Sequence, residues 1–293
     1  MHKAEIAAFL NQKGGVGKTT SVVNIGAGLA LLGKKVVIVD LDPQAHLTGY
    51  FGARTNGAGK TIFDVLRGEA DLLETLVEKE LRARVSFNGS DARLNVGVIP
   101  ADFSLTGAEI EFSTVPEREF LLKKAIDIHR NEFDFVLIDC PPSLGLLSTN
   151  ALAASNKVYI PVQTEYLALE SLENLQTLID NTIDHLNPGL EIGGLIATRF
   201  DGRRNLNRSV VETLKERYGS LFLQSMIREN IVLAEAPGLG KDIFSYRPRS
   251  YGAEDYLNLC MEILDSQVGY GDTLDTDPAS FTDTSSIGGA YGV

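Results

Sequence analysis

Cysteine is nearly missing from this 293-residue chain. Only Cys140 and Cys260 are present, too few for a disulfide framework and in keeping with a reducing compartment. No apolar run approaches the ~20 residues that a membrane span needs. The N-terminus reads Met-His-Lys-Ala-Glu and passes straight into an apolar run, which excludes the layout of a signal peptide. Together these absences predict a soluble, cytoplasmic protein. Basic side chains are also missing from one whole region, because no Lys or Arg follows Arg249.

Charge is plentiful elsewhere. The net charge of −12 argues against a sequence-independent grip on nucleic acid by the chain as a whole. The distribution of charge is less uniform than the total implies. Residues 1–198 carry 17 basic and 25 acidic side chains, residues 199–251 carry ten basic against six acidic, and residues 252–293 carry eight acidic and no basic ones. The middle stretch is able to present a cationic face on an acidic protein.

No internal repeat and no flexible linker interrupts residues 5–265. Strand-like apolar runs lie at 6–10, 36–39, 94–99, 135–138, 158–162 and 192–197, with a further candidate at 221–226. Several are almost continuously apolar, as strands covered on both faces are. Helical patterns fall between them at 18–32, 117–131, 168–186, 205–218 and 252–265. The alternation predicts an α/β fold with a mostly parallel, twisted sheet and helices on both faces. In such folds ligands gather at the carboxyl ends of the strands. Residues 1–265 read as one domain. The tail 266–293, rich in Gly, Ser, Thr and Asp and poor in aliphatic side chains, reads as disordered.

The segment Asn11-Gln12-Lys13-Gly14-Gly15-Val16-Gly17-Lys18-Thr19-Thr20 follows the first apolar run and opens the first helical pattern. Glycines there let successive N–H groups turn inward on phosphate oxygens, and the helix N-terminus adds partial positive charge. Lys18 then neutralises the β- and γ-phosphates, and the Thr19 hydroxyl binds Mg²⁺. One feature of the strict G-x-x-x-x-G-K-[ST] pattern is absent, since Gln12 stands at its first glycine. A second fragment, Gly57-Ala58-Gly59-Lys60-Thr61, fails likewise with Arg54 at that place. It lacks a preceding strand, so a turn without ligand is the better reading there. Two acids two residues apart, Asp40 and Asp42, close the run 36–39 and point to one face. Asp139 closes the run 135–138 as a Walker B strand would, where it holds Mg²⁺. Cys140 reads as a small buried neighbour, and Cys260, among Tyr256, Leu257, Leu259, Ile263 and Leu264, as a core residue on a helix face.

Lys13-Gly14-Gly15-Val16-Gly17-Lys18-Thr19 resembles the deviant Walker A loop of the ParA/MinD class of P-loop ATPases, and the wider chain resembles the ParA/Soj partition ATPases. The likeness continues through Pro141-Pro142-Ser143-Leu144-Gly145, Ile160-Pro161-Val162-Gln163-Thr164-Glu165-Tyr166, Arg199-Phe200-Asp201-Gly202-Arg203, Ala234-Glu235-Ala236-Pro237 and Tyr246-Arg247-Pro248-Arg249-Ser250-Tyr251-Gly252-Ala253. It implies an ATPase using ATP and Mg²⁺, with an ATP-dependent homodimer in which Lys13 reaches the partner's nucleotide. Such a lysine couples dimerisation to the γ-phosphate. It further implies nucleotide contacts along Lys13, Gly14, Gly15, Val16, Gly17, Lys18, Thr19 and Thr20. Asp42 would position the attacking water with Asp40 as polar support, and Thr198, Arg199 and Pro237 would flank the adenine.

Partners follow from the same resemblance: a ParB-like protein that stimulates hydrolysis, and nonspecific double-stranded DNA, which would place the protein on the nucleoid. The basic candidates for a DNA face are Arg203, Arg204, Arg228, Lys241, Arg247 and Arg249. Glu229 and Val232 stand where Soj-like relatives carry arginines, which predicts a weakened patch and leaves chromosome, plasmid or protein cluster open as cargo. A MinD-like membrane regulator needs a basic C-terminal amphipathic helix, and none is possible after Arg249. An iron–sulfur carrier lacks a Cys-x-x-Cys pair, and a small-molecule kinase lacks a visible acceptor pocket. With so few residues before the first strand, no N-terminal DNA-reading domain is expected.

Overall fold

The computed structural model describes residues 4–53, 59–81, 94–165 and 168–267. Seven strands, β1 (Glu5–Phe9), β2 (Val36–Asp40), β3 (Val77–Leu81), β4 (Leu94–Ile99), β5 (Phe135–Asp139), β6 (Lys157–Gln163) and β7 (Glu191–Thr198), form one sheet in the order β3-β4-β2-β5-β1-β6-β7. All neighbours pair in parallel except β3 with β4. Among the described residues six helices of nine or more residues flank it: α1 (Lys18–Leu31), α2 (Leu121–His129), α3 (Leu146–Ala154), α4 (Ala168–His185), α5 (Asn205–Tyr218) and α6 (Tyr251–Gln267).

Strand period explains the two-sided core. Successive side chains point to opposite faces. Ile6, Ala8 and Leu10 join one apolar cluster with Leu122, Ile126, Leu152, Leu175 and Leu214, so α2 to α5 cover that face. Ala7 and Phe9 join the other with Ile25, Leu29, Tyr256, Leu259 and Ile263, so α1 and α6 cover the opposite one. Cys260 lies in that second cluster, fully buried, as its helical spacing predicts.

Four features depart from expectation. β3 is too charged to read as a strand, with sequence Val-Glu-Lys-Glu-Leu. It is an edge strand, where alternating charge suits the solvent side and blocks edge-to-edge pairing. α3 went unread because Leu147, Ser148, Asn150, Ala151, Leu152, Ala153 and Ala154 are all buried, leaving no polar face to give a helical period. The run 221–226 makes one isolated parallel bridge to the β7 edge, Leu195 to Phe222, and a second isolated bridge joins Phe200 to Arg228 just beyond both. α6 continues to Gln267, two residues past the boundary set for the tail. The rest of that segment, 268–293, lies outside the described residues. At the second glycine-lysine fragment, Thr61 caps the helix Ile62–Leu66 in a reciprocal capping box with Asp64, and Lys60 Nζ donates to Glu69 O at 2.6 Å. Its residues 54–58 are not among those described.

Sheet register aligns the strand ends. Phe9 sits opposite Asp139, and Asp139 opposite Asp40. The carboxyl ends of β1, β5 and β2 are therefore level, and the chain segments leaving them emerge side by side.

Close approach of α1 to its neighbours depends on glycine. A Cβ on Gly28 would lie 2.6 Å from Cys260 Sγ and 3.3 Å from the Phe244 ring. Gly28→Ala gains roughly 1 kcal/mol of helix propensity but overpacks a rigid neighbour, which costs about 1–3 kcal/mol. Urea denaturation should show Gly28→Ala at or below wild-type stability, and clearly more favourable in a Cys260→Ala background. Equal effects in both backgrounds would refute the steric account.

Candidate functional site

The loop 10–17 leaves β1 and turns into α1 through two left-handed glycines, Gly15 (φ 75°) and Gly17 (φ 88°). A side chain at either position would be strained. Around Gly14 and Gly15 an added Cβ would meet nothing within 4 Å, so the loop presents backbone to open space. Asn11 braces it: Nδ2 donates to Pro161 O at 2.8 Å, and Oδ1 accepts from Lys13 N at 2.9 Å. Thr198, at the end of β7, donates to Val16 O at 2.8 Å and ties the loop to the far strand. At the head of a 14-residue helix this arrangement is an anion site.

Lys18 is the cation at its centre. It is only 7% exposed, and its Nζ donates to Asn11 O at 2.9 Å and Lys13 O at 3.4 Å. Burial lowers its pKa, and the nearby Asp139 acts in the opposite sense. Thr19, one residue on, donates its hydroxyl to Asp139 Oδ2 at 2.6 Å. Thr20 contributes backbone, accepting from Asn24 Nδ2 at 2.8 Å.

Two carboxylates, Asp139 and Asp42, lie close to this lysine, and Asp40 lies against Asp139. Burial pushes Asp139 well above the usual carboxylate range, and Asp40 adds to the shift. Its Oδ1 is buried with no hydrogen-bond partner among the described residues. That orphaned oxygen beside a hydroxyl is a hard-oxygen donor set suited to a divalent ion such as Mg²⁺, which takes one or two protein oxygens and fills the rest of its shell with phosphate and water. Among the described residues no cluster of three or more His, Cys, Asp or Glu forms a metal cage.

Asp40 and Asp42 divide their work. Asp40 is fully buried, with its pKa raised by burial to about 6. Its Oδ2 accepts from Thr48 N at 2.8 Å and Thr48 Oγ1 at 2.7 Å, and its Oδ1 from Asp42 N at 3.1 Å. Both oxygens thus anchor the turn after β2, which contains Ala45 at a left-handed φ of 51°. Asp42 is half-buried and accepts only a local bond from Gln44 N, at 2.9 Å. Its Oδ2 accepts no hydrogen bond among the described residues.

Lys13 lies on the rim. Its Nζ pairs with Glu165 Oε2 at 2.8 Å, with side chains 33% and 49% exposed, and Gln163 Nε2 holds the other carboxylate oxygen. Of the residues expected at the adenine, Thr198 is brought to the loop, while Arg199 occupies a left-handed turn at φ 51° and its guanidinium faces Glu229 at 3.4 Å. Pro237 sits in the turn 236–239, which lies against the helix His46–Tyr50.

The expected DNA-facing cations separate into two groups. Arg203 pairs with Asp201 at 2.9 Å, and Arg204 with Asp201 at 3.3 Å and Glu229 at 3.2 Å. Arg228 is held by Asp255 and Glu254 and stacks over Tyr251, 4.4 Å from the ring centroid. Lys241, Arg247 and Arg249 are exposed and make no ion pair among the described residues. Four residues with structural work here were given no role from sequence: Asn11, Thr48, Glu165 and Glu109. Glu109 Oε1 accepts from Leu146 N at 3.2 Å and caps α3 directly after the Asp139 loop. Asn11 and Glu165 lay inside motifs already recognised, and their position was the signal. Thr48 and Glu109 act across folds of the chain that no local pattern reveals.

A glycine-lined loop between a buried strand and a helix, with lysine, hydroxyl and strand-end carboxylate converging on it, defines a P-loop nucleotide hydrolase. A family model described as an AAA domain matches residues 4–192. The sporulation initiation inhibitor protein Soj of Bacillus subtilis is 42% identical over 88% of this chain and 98% of its own length. The chromosome-partitioning ATPase Soj of Treponema pallidum is 41% identical over 87% and 95%. Among solved structures, cobyrinic acid a,c-diamide synthase of Mycobacterium smegmatis with bound ADP and magnesium superposes with a TM-score of 0.76 at 31% identity, covering 91% of this chain and 96% of that one. The chain belongs to the Soj/ParA family of partition ATPases, and ATP hydrolysis is its reaction.

Proposed function

We propose that this ATPase is a dimerising switch that positions or segregates a DNA cargo. The observation that carries this reading is the second lysine of the phosphate loop, Lys13, held at the open rim by an exposed ion pair rather than folded into the cradle. Exposed pairs contribute about 0–1 kcal/mol, so Lys13 is able to leave Glu165 for a stronger anion at little cost. The γ-phosphate of a nucleotide bound by a second copy is such an anion. Names of the Soj and ParA relatives, and ADP with magnesium in the Mycobacterium smegmatis structure, support partition as the task and ATP with Mg²⁺ as the ligands. Magnesium would add positive charge where phosphate oxygens meet Thr19 and Asp139. Lys18 and the loop N–H groups would hold the phosphates, and Asp42 would accept the proton side of the attacking water. A ParB-like partner fits as the stimulus for hydrolysis, and a DNA cargo puts the site of action on the nucleoid. No helix among the described residues is long and apolar enough to cross a membrane.

The cation face tempers the DNA part of this reading. Glu229 neutralises Arg199 and Arg204, and Arg228 is locked against Asp255, itself 6% exposed. The Arg204 pair with Glu229 is exposed and exchangeable for phosphate, whereas Arg203 and Arg228 are held by largely buried acids, Asp201 at 10% and Asp255 at 6% exposure. A protein cargo with only weak DNA binding is the second reading, and the neutralised arginines are what favour it.

Three experiments test these points. In ATP-binding and hydrolysis assays, Lys18→Ala should lose triphosphate binding, whereas Asp42→Ala should bind ATP and turn over at least tenfold more slowly. Wild-type turnover by Asp42→Ala in the presence of a stimulating partner would remove the water-positioning role. In sedimentation, the Asp42→Ala protein should shift from monomer with ADP towards dimer with ATP, and adding Lys13→Ala should abolish most of that shift. An undiminished shift would remove Lys13 from the interface.

On unrelated duplexes, the ATP-trapped dimer should bind at low salt and lose affinity with a log–log slope of roughly 0.9 per phosphate neutralised. Glu229→Gln, which frees Arg199 and leaves Arg204 with Asp201 alone, should tighten binding and steepen the slope by about one unit. No binding at low salt, or binding indifferent to ATP, would leave the protein-cargo reading in its place.

A further inference from the structure

The segment that leaves β4 is fastened to the candidate site at both ends. At its start, Ala101 N donates to Thr48 Oγ1 at 2.8 Å, and that hydroxyl donates to Asp40 Oδ2 at 2.7 Å. At its far end, Glu109 Oε1 accepts from Leu146 N at 3.2 Å, at the head of α3 and just past the loop that follows Asp139. Gly145 permits that approach, since a Cβ there would collide with the same oxygen. The helical turns Phe103–Gly107 and Ala108–Glu111 between these ties therefore lie at the carboxyl ends of the strands, the end that carries Asp42 and the phosphate loop.

These turns are apolar on both sides. Leu105, Ala108 and Phe112 enter the core. Outside, Phe103 is 73% and Ile110 82% exposed, and their spacing of seven residues places both on one face of a helical path. Gly107 lies between them, and an added Cβ there would meet nothing within 4 Å, so the two side chains flank a hollow. The neighbouring acids are already partnered, Glu109 with Leu146 N and Glu111 with Arg67 at 2.7 Å. An aromatic and a branched aliphatic group around a hollow, with the local charges satisfied, lose little when water is removed.

Symmetry indicates what covers this patch. Lys13 stands at the same end of the sheet, and its reach to a partner's phosphates requires two copies to meet carboxyl end to carboxyl end. A two-fold axis makes such an interface self-complementary. Lysine and phosphate alone make a poor one, because a stable interface buries on the order of 1,000 Å² or more around an apolar centre. Phe103 and Ile110 supply apolar groups at that end, and each counts twice under the axis. Ile128, also 73% exposed, provides the contrast. α2 ends at His129 and the chain then enters the amino end of β5, so Ile128 stands at the opposite end of the sheet.

We propose that Phe103 and Ile110 form an apolar contact of the ATP-dependent dimer, covered there by a second copy of this chain. The proposal rests on the dimer reading above and adds the surface that holds the two copies together.

Thiol protection in the Asp42→Ala protein tests it. Cys140 and Cys260 are buried, so a thiol introduced by Ile110→Cys is the accessible one. It should react with a maleimide several-fold more slowly with ATP than with ADP, and the protection should grow with protein concentration. The thiol of Ile128→Cys should react alike in both states. Phe103→Ser with Ile110→Ser should leave the urea midpoint unchanged and weaken the ATP-dependent dimer about tenfold or more in sedimentation. A dimer in which the Ile110→Cys thiol stays as reactive as with ADP, or which the double variant leaves undiminished, would overturn the patch and leave the dimer standing. Protection by ATP that is independent of protein concentration would also overturn it, because the cover would then come from the same copy. An Asp42→Ala protein that stays monomeric with ATP would overturn the dimer reading itself, and this contact with it.

Discussion

Burial of Asp139 at the end of β5 is the constraint on which the site depends. It sits level with Asp40 across the sheet, close to Asp42, with one oxygen bonded to Thr19 and the other to nothing among the described residues. A carboxylate in that position is costly unless opposite charge is near. Lys18 supplies part of it, and its own burial limits how much. The protein alone thus leaves negative charge in a low-dielectric place, which a divalent cation is suited to complete. An ion that bridges this carboxylate and a nucleotide's phosphates has a reason to bind only when both are present.

The supports around that core are arranged so that the loops, not the strands, are free to respond. Asp40 ties the β2 turn through Thr48, whose hydroxyl also accepts from Ala101 N at 2.8 Å. Glu109 holds the head of α3, just beyond the loop that follows Asp139, and an acid there complements the helix dipole. Thr198 fastens the phosphate loop to β7. Each brace reaches from a segment distant in sequence, so movement in one loop is felt in the next.

That same remoteness decided what the sequence disclosed. The phosphate loop was legible because its glycines and lysines fall between a continuous apolar strand and a helical pattern, and Asp42 and Asp139 because they end strands of the same kind. Fold class followed from the alternation. β3 and α3 were hidden for opposite physical reasons, one too charged for a strand pattern and the other too buried for a helix pattern. Excess of arginine in 199–251 read as a cationic face, yet Glu229 closes on Arg199 and Arg204 from 30 and 25 residues away. Composition counts charges, whereas pairing depends on where the fold brings them.

Exposure then separates pairs that fix the structure from pairs that are available for exchange. Arg228 with Asp255 is packed beneath Tyr251 and α6, and breaking it would strand a buried acid. Lys13 with Glu165, and Arg204 with Glu229, are exposed, and there a pair is worth little and a multivalent anion outcompetes a single carboxylate. Both cations stand where the proposed function would call for contact with phosphate, one of a nucleotide and one of a nucleic acid. A weak internal partner at such a place keeps the cation positioned and soluble without committing it. Under that proposal triphosphate and duplex would act on residues already aimed, and which anion is present would set the difference between resting and engaged states.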